Sequence, residues 1–338
     1  MGLFNALKGK LTEHTGSPGH SSSHPSSSAP PEWAPAPEVS VRPFSLHTPS
    51  KHSLTTPLPP QHQFGKYNEA PEQEYQDAER FCQQYPPNAP RLLPSAAVDA
   101  INNVGCRAWG IEIPITPRFQ GTIQNLHDSK KSDDGVVHIQ TYAGCKDVCL
   151  LSDLPILAGL YDIHGKTGVY FEVAIHKMDG IIAVGTACRP YPVWRLPGWN
   201  RLSAGLHLDD FCKFFEDPDG GRDYDDHLQR NFRIHNGYPA TIGCGYEFTT
   251  GALFYTLNGE RLKNAFTGIY MPRHQYDVFA AIGVEGDCVF DVNFGAEPFK
   301  WKAGNEWAWR AEGHVGRMLG GPSGPDDELP SYSEARFS

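Results

Sequence analysis

The sequence contains no long apolar segment. Its 338 residues include no run of about 18 consecutive apolar residues, the length that a helix needs to cross a bilayer. The residues after Met1 also lack the apolar stretch of a secretory signal peptide. We therefore expect a cytoplasmic protein with no transmembrane helix and no secretory leader.

Paired cysteine motifs are also missing. None of the eight cysteines forms a C-x-x-C pair, and Cys145 and Cys149 stand four residues apart with no second pair nearby. A structural zinc site needs four ligands at recognisable spacing. We interpret the cysteines as reduced and mostly buried thiols.

Positive charge is scarce relative to negative charge. The chain has 29 Lys and Arg residues against 39 Asp and Glu residues, a formal net charge of −10. Phosphate binding needs a concentrated basic surface. The composition therefore argues against nucleic acid as a partner.

Motifs of metal or catalytic sites are absent as well. The acidic segment Asp217–Asp226 lacks the ligand spacing of a calcium-binding EF-hand loop, and we interpret it as a solvated insertion. His207 stands near Asp209 and Asp210, but no Ser or Cys lies in the context of an activated nucleophile. We expect no catalytic residue, no metal, no cofactor and no enzymatic activity.

Composition divides the chain into three regions. Residues 1–68 are rich in Ser, Pro and His, and residues 311–338 are rich in Gly, Pro and Asp, so we expect both tails to be disordered. Residues 69–310 form the predicted folded domain, with an N-terminal extension. That extension contains one predicted helix, Glu69–Gln84, which Pro86 and Pro87 end.

The central region has the pattern of short β-strands. Each candidate is rich in Val, Ile, Phe and Tyr and is bounded by Gly, Pro, Asn or Asp. Asn258-Gly259 lies between two of them and predicts a type I′ hairpin. Regular short strands with turn signals predict an all-β fold, an antiparallel β-sandwich. The candidates are Val136–Tyr142, Val169–Ile175, Ile181–Ala187, Thr241–Phe248, Ala252–Leu257, Asp277–Val284 and Cys288–Phe294.

Five motifs in this region resemble those of SPRY (B30.2-like) domains, in the same order. They are Tyr170–Val173 with Ile182–Gly185, Arg189–Asn200, Thr241–Tyr246, Leu253–Gly259 with Ala265-Phe266, and Val292–Gly295 with Pro298-Phe299. The loop Arg189–Asn200 is similar to one found in Ran-binding-protein-like SPRY domains. The resemblance implies a concanavalin-like sandwich that binds proteins.

Within this superfamily, the chain is most similar to fungal SPRY adaptors of a HECT-type ubiquitin ligase. The resemblance implies an adaptor that binds a peptide or membrane-protein cargo and recruits the ligase for endosomal or vacuolar sorting. Membrane-anchored members carry an N-terminal transmembrane helix, which we do not expect here. The alternative is a scaffold subunit of a larger Ran-binding-like or chromatin-associated assembly.

The tail carries a candidate WW-binding motif. Leu329, Pro330 and Tyr332 lie in the sequence Leu-Pro-Ser-Tyr, the L-P-x-Y variant of P-P-x-Y. A polyproline II segment costs little entropy to order and docks on an aromatic groove. We predict that this motif binds the WW domains of the ligase.

The loop from Tyr191 to Trp199 is the candidate peptide-binding loop. The family resemblance places it at the end of the sandwich where SPRY domains hold peptides. Tyr191, Trp194, Arg195 and Trp199 are of residue types enriched in binding hot spots. Alternatively, Trp199 packs the loop onto the core.

Residues 1–14 could form a weak membrane anchor. Leu3, Phe4, Leu7 and Leu11 would line one side of a helix, with Lys8 off that face. Gly2 would suit myristoylation, but the sequence has alanine where that motif needs Ser or Thr. We expect either a frayed end or a weak peripheral contact with endosomal or vacuolar membranes.

Overall fold

The computed structural model describes residues 71–125, 135–218, 220–235, 237–271 and 273–315. The predicted Leu-Pro-Ser-Tyr motif, the amphipathic segment 1–14 and the Ser/Pro/His-rich segment lie outside these residues. Within the described ranges, every helix is too short or too polar to cross a bilayer.

The described chain is mostly antiparallel sheet with three α-helices. The helices are α1 Glu72–Gln84, α2 Ser95–Val104 and α3 Asp226–Asn231. The strands are β1 Gly121–Gln124, β2 Val137–Thr141, β3 Val148–Leu151, β4 Gly168–Cys188, β5 Ser203–His207, β6 Cys212–Phe215, β7 Arg222–Asp223, β8 Ala240–Glu247, β9 Ala252–Leu257, β10 Glu260–Phe266 and β11 Val278–Asn293.

Two long strands, β4 and β11, are shared by two sheets. They pair along their length, from Cys188 opposite Val278 to Glu172 opposite Asn293. The first half of β4 pairs with β8 and the second half with β5, while β11 pairs with β3 and then with β2. One sheet is thus β1-β2-β11-β4-β8-β9-β10 and the other β3-β11-β4-β5-β6-β7. The predicted antiparallel β-sandwich is confirmed.

An extra residue in β4 decides which side chains face the core. Ile175 lies opposite Phe290 and Lys177 opposite Val289, so His176 is an unpaired bulge residue. Because side chains alternate along a strand, one inserted residue reverses the alternation. The core residues of β4 are therefore odd-numbered before the bulge and even-numbered after it: Val169, Phe171, Val173 and Ile175, then Ile182, Val184 and Cys188.

Paired glycines lie where the two long strands pass from one sheet to the other. Gly180 lies opposite Gly286, and their φ angles are 142° and 79°. A Cβ on Gly180 would come within 2.2 Å of the Glu285 carbonyl oxygen, so larger residues do not fit this bend. The four strands predicted at 169–175, 181–187, 277–284 and 288–294 are confirmed, but each pair runs on as one strand.

The predicted hairpin is confirmed. Asn258 and Gly259 both have positive φ, 51° and 88°, as a type I′ turn requires, and they join β9 to β10. The other predicted strands correspond to β2, β8 and β9 within one residue at each end. The short strands β1, β3, β5, β6, β7 and β10 were not predicted. Strands β3 and β5 are buried along almost their whole length, so they show no alternation of polar and apolar residues.

The helix prediction needs two corrections. Helix α1 is confirmed, but it begins at Glu72, after Pro71, rather than at residue 69. A second helix, α2, follows it, and α3 begins at Asp226, the last residue of the acidic segment. The side chain of Asp225 accepts a hydrogen bond from the His227 amide and caps the start of α3. The acidic segment is partly packed, because Tyr224 within it is only 2% exposed.

The folded region also continues beyond residue 310, where the disordered tail was predicted to begin. Residues Ala311–His314 form a 3-10 turn, and His314 is buried with its Nε2 accepting a hydrogen bond from the Ala158 amide at 3.1 Å. The Lys166 amine donates to the carbonyls of Trp307 and Arg310. These contacts hold the segment on the sandwich, because they satisfy polar groups that would otherwise be buried without partners.

Both sheets are covered on their outer faces. An aromatic cluster lies over one outer face, and buried Glu172 stabilises it by accepting hydrogen bonds from the Tyr170 hydroxyl at 2.8 Å and from the amides of Lys300 and Trp301 at 3.0 Å. The loop between β4 and β5 lies over the other outer face, where Leu196 and Trp199 pack on Ile181 and Ala183. The members of the aromatic cluster are Tyr170, Phe254, Phe299, Trp301 and Trp309.

Candidate peptide-binding site

Tyr191 lies at the start of the candidate loop and is mostly buried. Its exposed fraction is 8%, and it packs with Cys149, Ala187 and Ala281 on the outer face of the sheet. Its hydroxyl donates a hydrogen bond to the Leu196 carbonyl at 2.6 Å. The ring therefore holds the loop to the sheet, and little of it is open to a ligand.

Arg195 is a buried cation in the middle of the loop. It is 2% exposed, its guanidinium stacks over the Trp199 ring at 4.3 Å, and its Nε donates to Asn200 Oδ1 at 3.0 Å. Burial lowers the pKa of Arg195, an effect that the nearby carboxylates of Glu74 and Glu79 oppose. Arg195 therefore supports the loop and is covered by α1, whose Tyr75 ring lies 6.0 Å from the guanidinium.

Trp199 packs the loop onto the core, as the alternative interpretation had it. It is 1% exposed and lies against Leu196 and Phe214, with its ring centroid 5.4 Å from that of His207. Its indole Nε1 is buried and has no hydrogen-bond partner in the described part of the chain. The residue contributes packing at the cost of one unpaired donor.

His207 is buried in the same cluster rather than placed for catalysis. Its Nε2 lies 3.0 Å from the Pro197 carbonyl, and its ring stacks on Phe214. Burial lowers its pKa to about 4, although the charge of Asp209 opposes the shift. The imidazole is therefore neutral at pH 7 and has a structural role.

Trp194 is the one residue of the predicted set that lies at the surface of the loop. It is half-buried, and its Nε1 donates to the Glu74 carbonyl at 3.1 Å. The Phe81 ring meets it edge to face at 5.7 Å. Both contacts come from α1, so the exposed side of the loop is covered by a helix of the same chain.

Several further contacts of α1 with the domain are polar. The two oxygens of the Glu74 carboxylate accept hydrogen bonds from the Arg118 guanidinium at 2.9 and 3.1 Å. Asn200 donates to Glu79 Oε1 at 3.1 Å, and Arg201 donates to the carbonyls at the end of α1. We call the surface formed by Arg118, Trp194, Arg195, Asn200 and Arg201 the α1 groove.

Local sequence explains why α1 is helical. Pro71 lies just before its first turn, and Glu72 and Glu74 place negative charge near the positive end of the helix dipole. Ala78 is its one fully buried residue. The amphipathic pattern of this helix was the signal that a surface would be covered, although the pattern does not identify that surface.

Asp147 is a buried carboxylate close to the α1 groove. It is 3% exposed, its Oδ1 has no partner among the residues described, and its backbone carbonyl accepts from Arg118 Nε at 3.0 Å. Burial, and then repulsion from Glu285, raises its pKa to about 7, against the attraction of Arg118. Sequence reasoning missed this residue, because nothing in its local pattern marks it as buried.

A small open cavity lies beside the loop. Its volume is about 260 Å³, and Leu151, Tyr191 and Val193 line it together with the exposed residues Ile113 and Ile115. Across the described ranges, no three His, Cys, Asp or Glu side chains are grouped as a metal site would require. The predicted motif at Leu329, Pro330 and Tyr332 cannot be placed relative to these surfaces, since it lies outside the described residues.

Residues 168–297 match the family model of the SPRY domain. The chain therefore carries a SPRY domain, a protein-interaction fold that runs here from β4 to just beyond β11 and includes the candidate loop. The predicted resemblance to SPRY domains is confirmed. Helix α1 lies outside the matched range and is an extension of the domain.

The chain is similar to several proteins of known sequence or structure. Protein ssh4 of Sclerotinia sclerotiorum is 27% identical over 240 residues, which are 70% of this chain and 40% of that protein. A SPRY domain-containing protein of Schizosaccharomyces pombe is 27% identical over 185 residues, 54% of this chain and 43% of the other. A crystal structure of a human SPRY domain is 25% identical with a TM-score of 0.36, covering 47% of this chain and 92% of that one. The chain thus spans less than half the length of the fungal relatives.

Proposed function

We propose that this protein is a non-enzymatic adaptor that links a cargo protein to a ubiquitin ligase. The SPRY domain binds a peptide or a membrane-protein tail, and the Leu-Pro-Ser-Tyr motif recruits a HECT ligase through its WW domains. Ubiquitination then directs the cargo into endosomal or vacuolar sorting. The observation that carries the proposal is the presence of a SPRY domain and an L-P-x-Y motif in one chain.

Several features support the role of an adaptor. SPRY domains are protein-interaction modules. The Leu-Pro-Ser-Tyr motif in the tail is a further sequence feature that suits a ligase adaptor. His207 was the residue whose sequence context most suggested catalysis. It is buried and neutral, so it has a packing role. Segment 1–14 would add weak contact with the cytoplasmic face of endosomal or vacuolar membranes.

The motif need not bind tightly. A single short motif of this kind gives a Kd on the order of 10 μM, or about −7 kcal/mol. Simultaneous cargo binding raises the effective concentration of the ligase near its target. Weak, reversible recruitment is therefore sufficient for an adaptor.

The proposal is tested by titrating a peptide of residues 325–338 against isolated WW domains of a HECT ligase. Tyr332→Ala should abolish binding because the ring fills a pocket, and Pro330→Ala should weaken it severely because proline presets φ. Leu329→Pro should preserve or strengthen binding, since it restores P-P-x-Y. Ser331→Ala is the matched control, because the third position of the motif is variable.

Equal binding of the Tyr332→Ala and unsubstituted peptides would contradict the proposal. The alternative of a scaffold subunit would then be favoured, and it predicts that the full chain co-purifies with a stable assembly rather than with a ligase.

A further inference from the structure

Helix α1 is held on the domain by few apolar contacts. Ala78 is its one fully buried residue, and Tyr75, Phe81 and Cys82 are half-buried. A helix of 13 residues is marginal in water by itself. Its order therefore depends on the α1 groove, and the contact is of a kind that can open without unfolding the sandwich.

The groove is held in place by contacts that do not involve α1. Arg118 is fixed through its bond to the Asp147 carbonyl, and Arg195 through Trp199 and Asn200. The backbone of the loop is anchored where the Cys149 amide donates to the Val193 carbonyl at 2.8 Å. The surface should therefore persist when the helix leaves it.

The groove is complementary to an acidic helix. Arg118, Arg195 and Arg201 supply positive charge, and α1 places Glu74 and Glu79 against them. The spacing on α1 is an acid at position 74, an aromatic ring at 75, a small residue at 78, a second acid at 79 and a second ring at 81. The match of charge and shape defines the ligand that the groove accepts.

We propose that the α1 groove is a docking site for an acidic amphipathic helix, that α1 occupies it in the isolated chain, and that a partner helix with the same pattern displaces α1. The inference rests on the proposed adaptor function, in which the SPRY domain receives a protein partner. Displacement makes partner binding conditional, since the partner must compete with a ligand that is always attached.

The strength of this competition depends on the covalent attachment of α1 to the domain. A segment joined to its site by a short connection has an effective concentration on the order of 1 mM or more. If the free helix binds with a Kd on the order of 100 μM, α1 fills the groove about nine-tenths of the time or more. An identical helix added in solution should then bind the unsubstituted chain about 10-fold more weakly than a chain whose α1 is released.

The test uses a labelled peptide of residues 71–85 carrying Cys82→Ser, titrated by fluorescence anisotropy into full-length variants. Glu74→Arg in the chain should release α1, because it places a cation against Arg118 and removes the paired bonds. The peptide keeps its own glutamate, so it should bind this variant at least 10-fold more tightly than the unsubstituted chain. Glu72→Arg is the matched control, since it changes the same charge in the same turn on the exposed side.

A second pair of variants tests the release of α1 without reversing a charge. Phe81→Ala should likewise expose the groove by removing the ring that meets Trp194, whereas Gln84→Ala on the exposed side should not. Hydrogen exchange of the full chain should show faster exchange at 72–84 in the two releasing variants, with the strands unchanged. This measurement also establishes that the variants remain folded.

Two results would overturn the proposal. The first is that the peptide binds neither releasing variant while both are folded, since the groove would then not exist as a site. The second is equal binding to the unsubstituted chain and the releasing variants, since α1 would then not occupy the groove. The peptide lacks the Leu-Pro-Ser-Tyr motif, so failure of WW binding would leave this result unaffected.

Discussion

The substitution Asp147→Asn should change how the stability of the domain depends on pH. Asp147 is buried near the α1 groove, and burial together with repulsion from Glu285 raises its pKa from 3.8 to about 7. The folded protein thus holds this proton more tightly than the unfolded chain does. Ionisation of the carboxyl group therefore destabilises the fold, and the cost grows as the pH rises through this range.

The magnitude follows from the two pKa values. A shift from 3.8 to about 7 corresponds to a full cost of about 4 kcal/mol once the group is ionised in both states. Because the unfolded carboxyl group already ionises near pH 4, part of this cost is present at pH 5. Between pH 5 and pH 8 the free energy of unfolding should fall by about 2–3 kcal/mol through this residue alone.

The assay is urea unfolding of the full chain and of the Asp147→Asn variant at pH 5, 6, 7 and 8. Asparagine does not titrate, so the variant should gain about 2–3 kcal/mol over the unsubstituted protein as the pH rises across this range, whatever its absolute stability. Asp99→Asn, on the exposed side of α2, is the matched control, since it removes the same charge at the surface. Parallel pH profiles for Asp147→Asn and the unsubstituted protein would refute the reasoning.

Two further predictions concern residues that the structure shows to be buried. Trp199→Ala should destabilise the domain by about 3–5 kcal/mol in denaturant unfolding, because the side chain is buried. Tyr238→Ala, at a site 77% exposed, should change the free energy of unfolding by less than about 0.5 kcal/mol. Equal effects of the two substitutions would mean that the loop is not packed as described. Burial lowers the pKa of His314 from 6.5 to about 3, so the unfolded chain binds a proton that the folded protein excludes. Acidification from pH 8 to pH 5 should therefore cost about 2 kcal/mol through this residue alone. His314→Gln should remove that loss, and an unchanged pH slope in urea unfolding would contradict the assignment.

Much of the sandwich could be predicted from local sequence. Some elements depend only on neighbouring residues and can be predicted without knowledge of the tertiary structure. Examples are the strands at 169–175 and 241–248 and the Asn258-Gly259 turn. The helix at 72–84 could be predicted for the same reason. The helix ends at Gln84, as predicted, but it begins three residues later than predicted, because Pro71 sets its boundary.

The candidate loop was only partly predictable. Tyr, Trp and Arg are enriched in binding sites, but the same side chains also pack well against a sheet when their polar groups find partners. Tyr191, Arg195 and Trp199 are buried by such packing, and Trp194 alone lies at the surface of the loop. Residue type indicated that this loop was dense in contacts without indicating which contacts they were.

The sequence by itself determined the strand segments, the hairpin, the amphipathic helix and the family to which the domain belongs, because each depends on residues close together in the chain. Only the tertiary structure decided that α1 lies on the loop, that Asp147 and His314 are buried, and that a bulge at His176 reverses the inward face of β4. Each of these depends on contacts between residues far apart in sequence. Such contacts are set by the packing of the whole sandwich, because burial and charge pairing are properties of the folded surroundings rather than of the local segment.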